Sequence, residues 1–169
     1  MKTLTVVEGI MEEKLKTYLK DALNVLGISH RFVAAESLKE NMYLDYILLN
    51  SSKKFENITL KGKYCFVNMD SNFSDNLNVF GNTITYGFGI KNTVTVSSVE
   101  DNNLGFVYCL QRYLNLDTIN QIEPQEIPIR LQFSDDIHLY ALMIAITIGL
   151  IQCIDSETIE RNLVKKFYN

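Results

Sequence analysis

Asn82-Thr-Ile-Thr-Tyr-Gly-Phe-Gly-Ile-Lys-Asn-Thr-Val-Thr-Val-Ser-Ser-Val-Glu100 contains two strand-like stretches, Thr83 to Phe88 and Thr93 to Val99. Threonine, valine, isoleucine and aromatic side chains of this kind suit a pleated surface. Leu104 to Tyr113 and Glu126 to Phe133 repeat the pattern further along the chain. Pro128 predicts an edge position for the latter, because proline cannot donate to a ladder. This half of the chain is expected to form an antiparallel ribbon or small sheet. Tyr86, Phe88, Phe106 and Tyr108 lie at strand spacing and are expected in its core or in cross-strand pairs.

Upstream the pattern differs. Thr3-Leu-Thr-Val-Val7 reads as a strand, and Gly9 follows it. Met11, Leu15, Leu19, Ala22, Leu23 and Leu26 then recur at helical spacing. Glu12 and Glu13 suit the dipole of the first turn, and Gly27 predicts the stop. Arg31 to Ala35, Leu44 to Asn50 and Lys63 to Asn68 are continuous apolar runs, the pattern of strands buried on both faces of a mostly parallel sheet. The polar connection from Ser51 to Gly62 has room for only a turn or two of helix. Asp70 to Asn82, rich in Asn, Ser, Asp and Gly, reads as a loop.

Two helices close the chain. Ser134, Asp135 or Asp136 caps the first, which runs to about Gln152, and Asp155 opens the second. Ile159, Leu163, Val164 and Phe167 form the apolar stripe of that second helix. Leu139 to Ile154 is almost wholly apolar but only 16 residues long, whereas a spanning helix needs about 20. A buried core helix is expected. These elements predict one α/β domain over residues 1–169, with a mostly parallel sheet, flanking helices and a small antiparallel sheet.

A chain of 169 residues buries about 70% of its unfolded surface and needs no staples. Its net charge of −4, without a long basic run, argues against nucleic-acid binding. Cys65, Cys109 and Cys153 are odd in number and lack metal-type spacing, so buried free thiols in a reducing cytosol are expected. No signal peptide is visible, and a cytoplasmic protein without membrane contact is predicted. His30 and His138, the only histidines, are expected to be structural, since nothing local supports a Cys-His nucleophile pair. Asp135, Asp136 and Asp155 are expected to cap helices rather than bind metal.

With these elements in order, the run from Asn82 to Glu100 is similar to the Tyr-Gly-Phe segment of Mur ligases, the ATP-dependent amino-acid-adding enzymes of peptidoglycan synthesis. The surrounding elements resemble their central ATPase domain. Asp45 to Ser52 resembles the strand that ends in a magnesium-holding glutamate, and Asn50 takes that glutamate's place. Gly62 to Asp70 is similar to the family's next strand. Asp136-Ile-His-Leu-Tyr140 resembles the helix near the adenine, with Asp136, Ile137 and Tyr140 where the family has histidine and asparagines. Tyr140 can still stack on a base. Final Asp155 to Leu163 fits the family's last helix.

The family's phosphate loop reads Gly-Thr-Asn-Gly-Lys-Thr-Thr. Here Gly9 matches the first glycine, the second glycine and the hydroxyl residue are missing, and Lys14 lies one place beyond an ungapped match. Glu12 and Glu13 put negative charge where phosphate should sit. The resemblance thus implies a vestigial nucleotide site at Gly9, Lys14, Asn50 and Tyr140. It implies no catalytic residue, no metal site and no cofactor. The family's UDP-substrate domain, C-terminal ligase domain and carbamylated-lysine region find no counterpart. A non-catalytic domain that binds a protein or small ligand without hydrolysing ATP is expected. The alternatives are a divergent nucleotide-binding subunit of an ATP-dependent ligase and a self-associating structural module that forms homo-oligomers.

Overall fold

β1 (Lys2–Val7) leads into α1 (Glu12–Val25), the pair that the N-terminal pattern predicts. Leu15, Leu19, Ala22 and Leu23 are buried along one stripe of the helix. Gly27 ends it at φ +70°, a left-handed conformation open to a residue without Cβ. Its N–H bonds the Asn24 carbonyl, and the Ile28 N–H bonds that of Leu23. The structure, a computed structural model, describes residues 1–7, 12–34, 42–50, 59–71 and 78–165. Gly9, the helical turn expected between Ser51 and Gly62, and Phe167 fall wholly or mainly outside these residues.

β2 (His30–Phe32), β3 (Tyr43–Leu49), β4 (Thr59–Asn68) and β5 (Asn78–Tyr86) join β1 in one sheet. β6 (Val94–Val99), β7 (Phe106–Leu110) and β10 (Gln125–Ile129) complete it. Among the described residues the sheet has eight strands in the order β10-β7-β6-β5-β4-β3-β1-β2. The strands from β2 to β6 in that order are parallel, and β7 runs against both β6 and β10. β8 (Leu114–Asn115) and β9 (Gln121–Ile122) form a separate antiparallel ribbon. A mostly parallel sheet with a small antiparallel one is the architecture expected. Pro128 lies on the edge strand, as its chemistry requires.

The assignment of individual strands needs correction. β5 begins at Asn78, inside the stretch read as a loop, and pairs parallel with β4 over its length. β6 is parallel to β5 but meets it at a single pair, Tyr86↔Val94. The connection between them is too short for a crossover, which takes a dozen or so residues. Instead β6 starts level with the end of β5 and carries the sheet onward. Thr85 and Thr93 bridge this junction through their hydroxyls at 3.2 Å, and the Thr93 N–H donates to Thr85 Oγ1 at 2.9 Å. The antiparallel ribbon of the prediction is real, but it is β6, β7 and β10, continuous with the main sheet.

α2 (Asp136–Ile151) and α3 (Ser156–Lys165) follow. Asp135 caps α2 by accepting the His138 N–H, and Asp155 caps α3 by accepting that of Thr158. α2 is buried from His138 to its end at Ile151 except at Tyr140, so its apolar run is a core helix. No helix among the described residues is long and apolar enough to cross a membrane. One cluster packs α1, α2 and α3 against Leu4, Tyr46, Phe66 and Tyr86 on one face of the sheet. The other face holds a smaller cluster of Leu44, Ile47, Leu49, Leu60 and Cys65.

The cysteines depart from expectation. All three are free, but only Cys65 is buried, and burial pushes its thiol up to about 12. Cys109 is half-buried. Cys153 is exposed just beyond the C-terminus of α2, at φ +61°. Tyr86, Phe106 and Tyr108 are core residues as predicted, whereas Phe88 is 40% exposed.

Candidate functional site

Asn50, Asn68 and Tyr86 stand at the C-terminal ends of β3, β4 and β5. In open α/β sheets this edge is where ligands bind. The Asn50 Oδ1 accepts from Asn68 Nδ2 at 2.6 Å and from the Tyr86 hydroxyl at 3.1 Å. An amide oxygen has two lone pairs, so both are filled. The Asn68 Oδ1 accepts the Asp70 N–H at 2.9 Å. The Asp70 Oδ2 in turn accepts the Phe88 N–H and the Tyr140 hydroxyl, each at 2.9 Å.

The Tyr-Gly-Phe segment is built around Asp70. Gly87 takes φ +143°, and a Cβ there would lie 2.8 Å from the Asp70 carboxylate. Only glycine allows this approach. The Phe88 and Tyr86 rings pack on Tyr140 with centroids 5.2 and 5.7 Å away. Burial, followed by the neighbouring Asp70 carboxylate, raises the Tyr140 phenol well above its usual range. Tyr140 therefore serves as a neutral donor, half-enclosed by aromatic rings.

Lys14 lies in the first turn of α1 but does not join this network. Its ammonium is held by the Asp135 carboxylate, which caps α2 through its other oxygen. The hydrogen bond from Lys14 holds the Asp135 carboxyl below its ordinary value, against a smaller opposing effect of desolvation. Next to this pair, His138 stacks on Tyr18 with centroids 4.2 Å apart and accepts the Ser134 N–H on Nδ1. Burial lowers its pKa, which favours the neutral ring.

Of the four positions singled out in the sequence, the structure brings Asn50 and Tyr140 into one network and leaves Lys14 outside it. Gly9 lies outside the described residues. Asn68, Asp70 and Tyr86 within this network, and Asp135 outside it beside Lys14, are residues that spacing alone does not single out for a site. Their visible signals are the polar residues that close apolar strand runs and the aspartate that opens α2. No cluster of metal-type ligands occurs among the described residues.

Sheet order and helix placement define an α/β architecture of the Mur-ligase-like fold. The structure of UDP-N-acetylmuramoylalanyl-D-glutamyl-2,6-diaminopimelate–D-alanyl-D-alanyl ligase from Acinetobacter baumannii matches with a TM-score of 0.56 at 10% identity, covering 96% of this chain and 45% of that one. A structure of MurF from Acinetobacter baumannii matches with a TM-score of 0.54 at 11% identity, covering 95% and 44%. The chain thus spans less than half the length of these proteins, and the likeness is one of fold. No protein-family model matches the chain, and no curated protein matches its sequence.

Proposed function

We propose that this chain is a non-catalytic, cytoplasmic domain of Mur-ligase-like fold, degenerate at the nucleotide site, which acts by binding a protein or small ligand without hydrolysing ATP. The observation that carries this reading is the closed state of Asn50. Mg²⁺ seeks oxygen ligands with charge and free lone pairs. The Asn50 oxygen is neutral and already accepts two hydrogen bonds. The other two described positions are similarly engaged, Lys14 by Asp135 and Tyr140 by Asp70. Support for a protein partner or a second copy comes from Met69, Phe88 and Ile90, which are 55%, 40% and 86% exposed on adjoining loops beside the strand ends.

A second reading is a divergent nucleotide-binding subunit of an ATP-dependent ligase. It is favoured by Asp70, an exposed carboxylate at the strand edge where a cation could be held. Calorimetric titration with ATP and ADP, each with Mg²⁺, separates the two. The proposal expects no heat and no turnover at millimolar nucleotide. Micromolar binding that is lost in Lys14→Ala would overturn it and favour the second reading.

A further inference from the structure

The end of the sheet opposite the strand-end site holds a cavity of about 670 Å³. Its walls come from the starts of β1 and β3, the middle of β4, the β8–β9 ribbon and the end of α2. Polar side chains dominate its lining: Lys63, Tyr46, Asn120 and Gln152 together with the pairs described next. We propose that this cavity is a binding site for a small anionic ligand, a carboxylate or phosphate compound, anchored by the Lys63 ammonium and the Tyr46 hydroxyl.

The acidic groups in the lining are already occupied. Asp45 Oδ2 accepts the N–H and the hydroxyl of Thr3, and its Oδ1 lies 3.7 Å from Lys2 Nζ. Asp117 accepts the N–H groups of Ile119 and Asn120 and the Asn120 side-chain amide, which builds the turn of the ribbon. Lys63 differs. Asp117 acts on it through space, but among the described residues no carboxylate lies within ion-pair distance of its ammonium. It rests 5.5 Å from the centroid of the Tyr64 ring. The Tyr46 hydroxyl accepts from Gln152 Nε2 at 2.7 Å, which leaves its own proton to donate. The formal charges of Lys2, Lys63, Asp45 and Asp117 cancel, so these unspent donors rather than a bulk field select the ligand.

The backbone is shaped to present Lys63. Between Lys61 and Tyr64 the register of β4 on β5 shifts, and Gly62 and Lys63 face Gly81 across the bulge. Glycine at position 81 makes this approach feasible: a Cβ there would lie 2.5 Å from the Gly62 carbonyl oxygen. Bulges of this kind re-aim a side chain and recur beside functional sites. The C-terminus of α2 brings partial negative charge to one wall. The N–H groups of Gln152, Cys153 and Ile154 satisfy its last carbonyls and blunt that effect.

The test is a ¹H–¹⁵N NMR titration of the chain with inorganic phosphate and, separately, with succinate. Saturable shifts confined to residues 45–46, 63–64, 116–121 and 152–153 are expected. A response to phosphate alone assigns a phosphoryl ligand, to succinate alone a carboxylate, and to both the shared anion chemistry. Lys63→Met, an exposed change, should weaken binding at least about tenfold, the effect of losing a hydrogen bond to a charged group. Tyr46→Phe, which keeps the buried ring, should weaken it too, and Lys91→Met should not. Absence of shifts with both anions, equal binding by Lys63→Met, or shifts centred on Asn50 and Tyr140 would overturn the proposal. It stands independently of nucleotide binding at the strand ends, so either reading can fail alone.

Discussion

Asp135 accepts the Lys14 ammonium on one carboxylate oxygen and the His138 N–H on the other. These roles can be separated. Asp135→Ala removes the cap as well as the ion pair and should cost about 1 kcal/mol, the usual worth of an N-cap. Asp135→Asn keeps a capping oxygen and removes only the charge. Because the folded Asp135 carboxyl lies below its ordinary value of 3.8, its ionised form stabilises the fold above that value. That contribution disappears as pH falls through the lower, folded value. Urea midpoints should therefore separate wild type from Asp135→Asn at neutral pH and converge once the pH has fallen below the lowered, folded value. A separation that persists in acid would mean that the charge is not its source. A cap at this place is legible in the sequence, but only as a choice among Ser134, Asp135 and Asp136, which the His138 N–H settles by bonding Asp135. The hold of Asp135 on Lys14 is not legible, because 121 positions separate them and only the packing of α1 beside α2 brings them together.

Elements were easier to read from the sequence than their partners and directions. α1, α2, α3 and the parallel strands β1, β3 and β4 follow from apolar periodicity and from the length of each run. Strand direction does not, since the alternation of side chains is the same whichever way a neighbour runs. That is why β5 and β6 read as an antiparallel ribbon although both run parallel with β4. The bulge in β4 was equally hidden, for Gly62 and Gly81 become a pair only when β4 and β5 lie side by side. Gly81→Ala tests its importance. The new methyl group meets the Gly62 carbonyl, which is backbone and cannot swing aside. A loss of about 1–3 kcal/mol is expected, in the range of overpacking, measured as a lower urea midpoint. Gly27→Ala makes a useful comparison, since nothing lies within 4 Å of a Cβ there and only the left-handed backbone resists. An undiminished midpoint in Gly81→Ala would show that the strands can part locally without cost to the fold.

At the scale of the molecule, the two halves that look different in sequence share one core. The main cluster runs without a break from Leu4 and Leu15 through Phe66 and Tyr86 to Tyr108, Ile127 and Leu163. α2 lies at its centre and touches α1, α3, β5 and β6. Polar links tie both halves to α2. The Tyr108 hydroxyl donates to Thr147 Oγ1, which donates to the Met143 carbonyl, and Gln152 reaches back to Tyr46. Neither the parallel strands nor the β6–β7–β10 ribbon can shed α2 without exposing apolar surface, so neither is expected to survive the other's loss. The chain should therefore unfold in a single cooperative transition. With no tryptophan and nine tyrosines spread through both halves, tyrosine fluorescence reports packing while far-ultraviolet circular dichroism reports the helices. The two urea curves should superimpose. If the tyrosine signal moves before the helical one, the ribbon is a separate unit, and the core shared through α2 does not bind the halves into one domain.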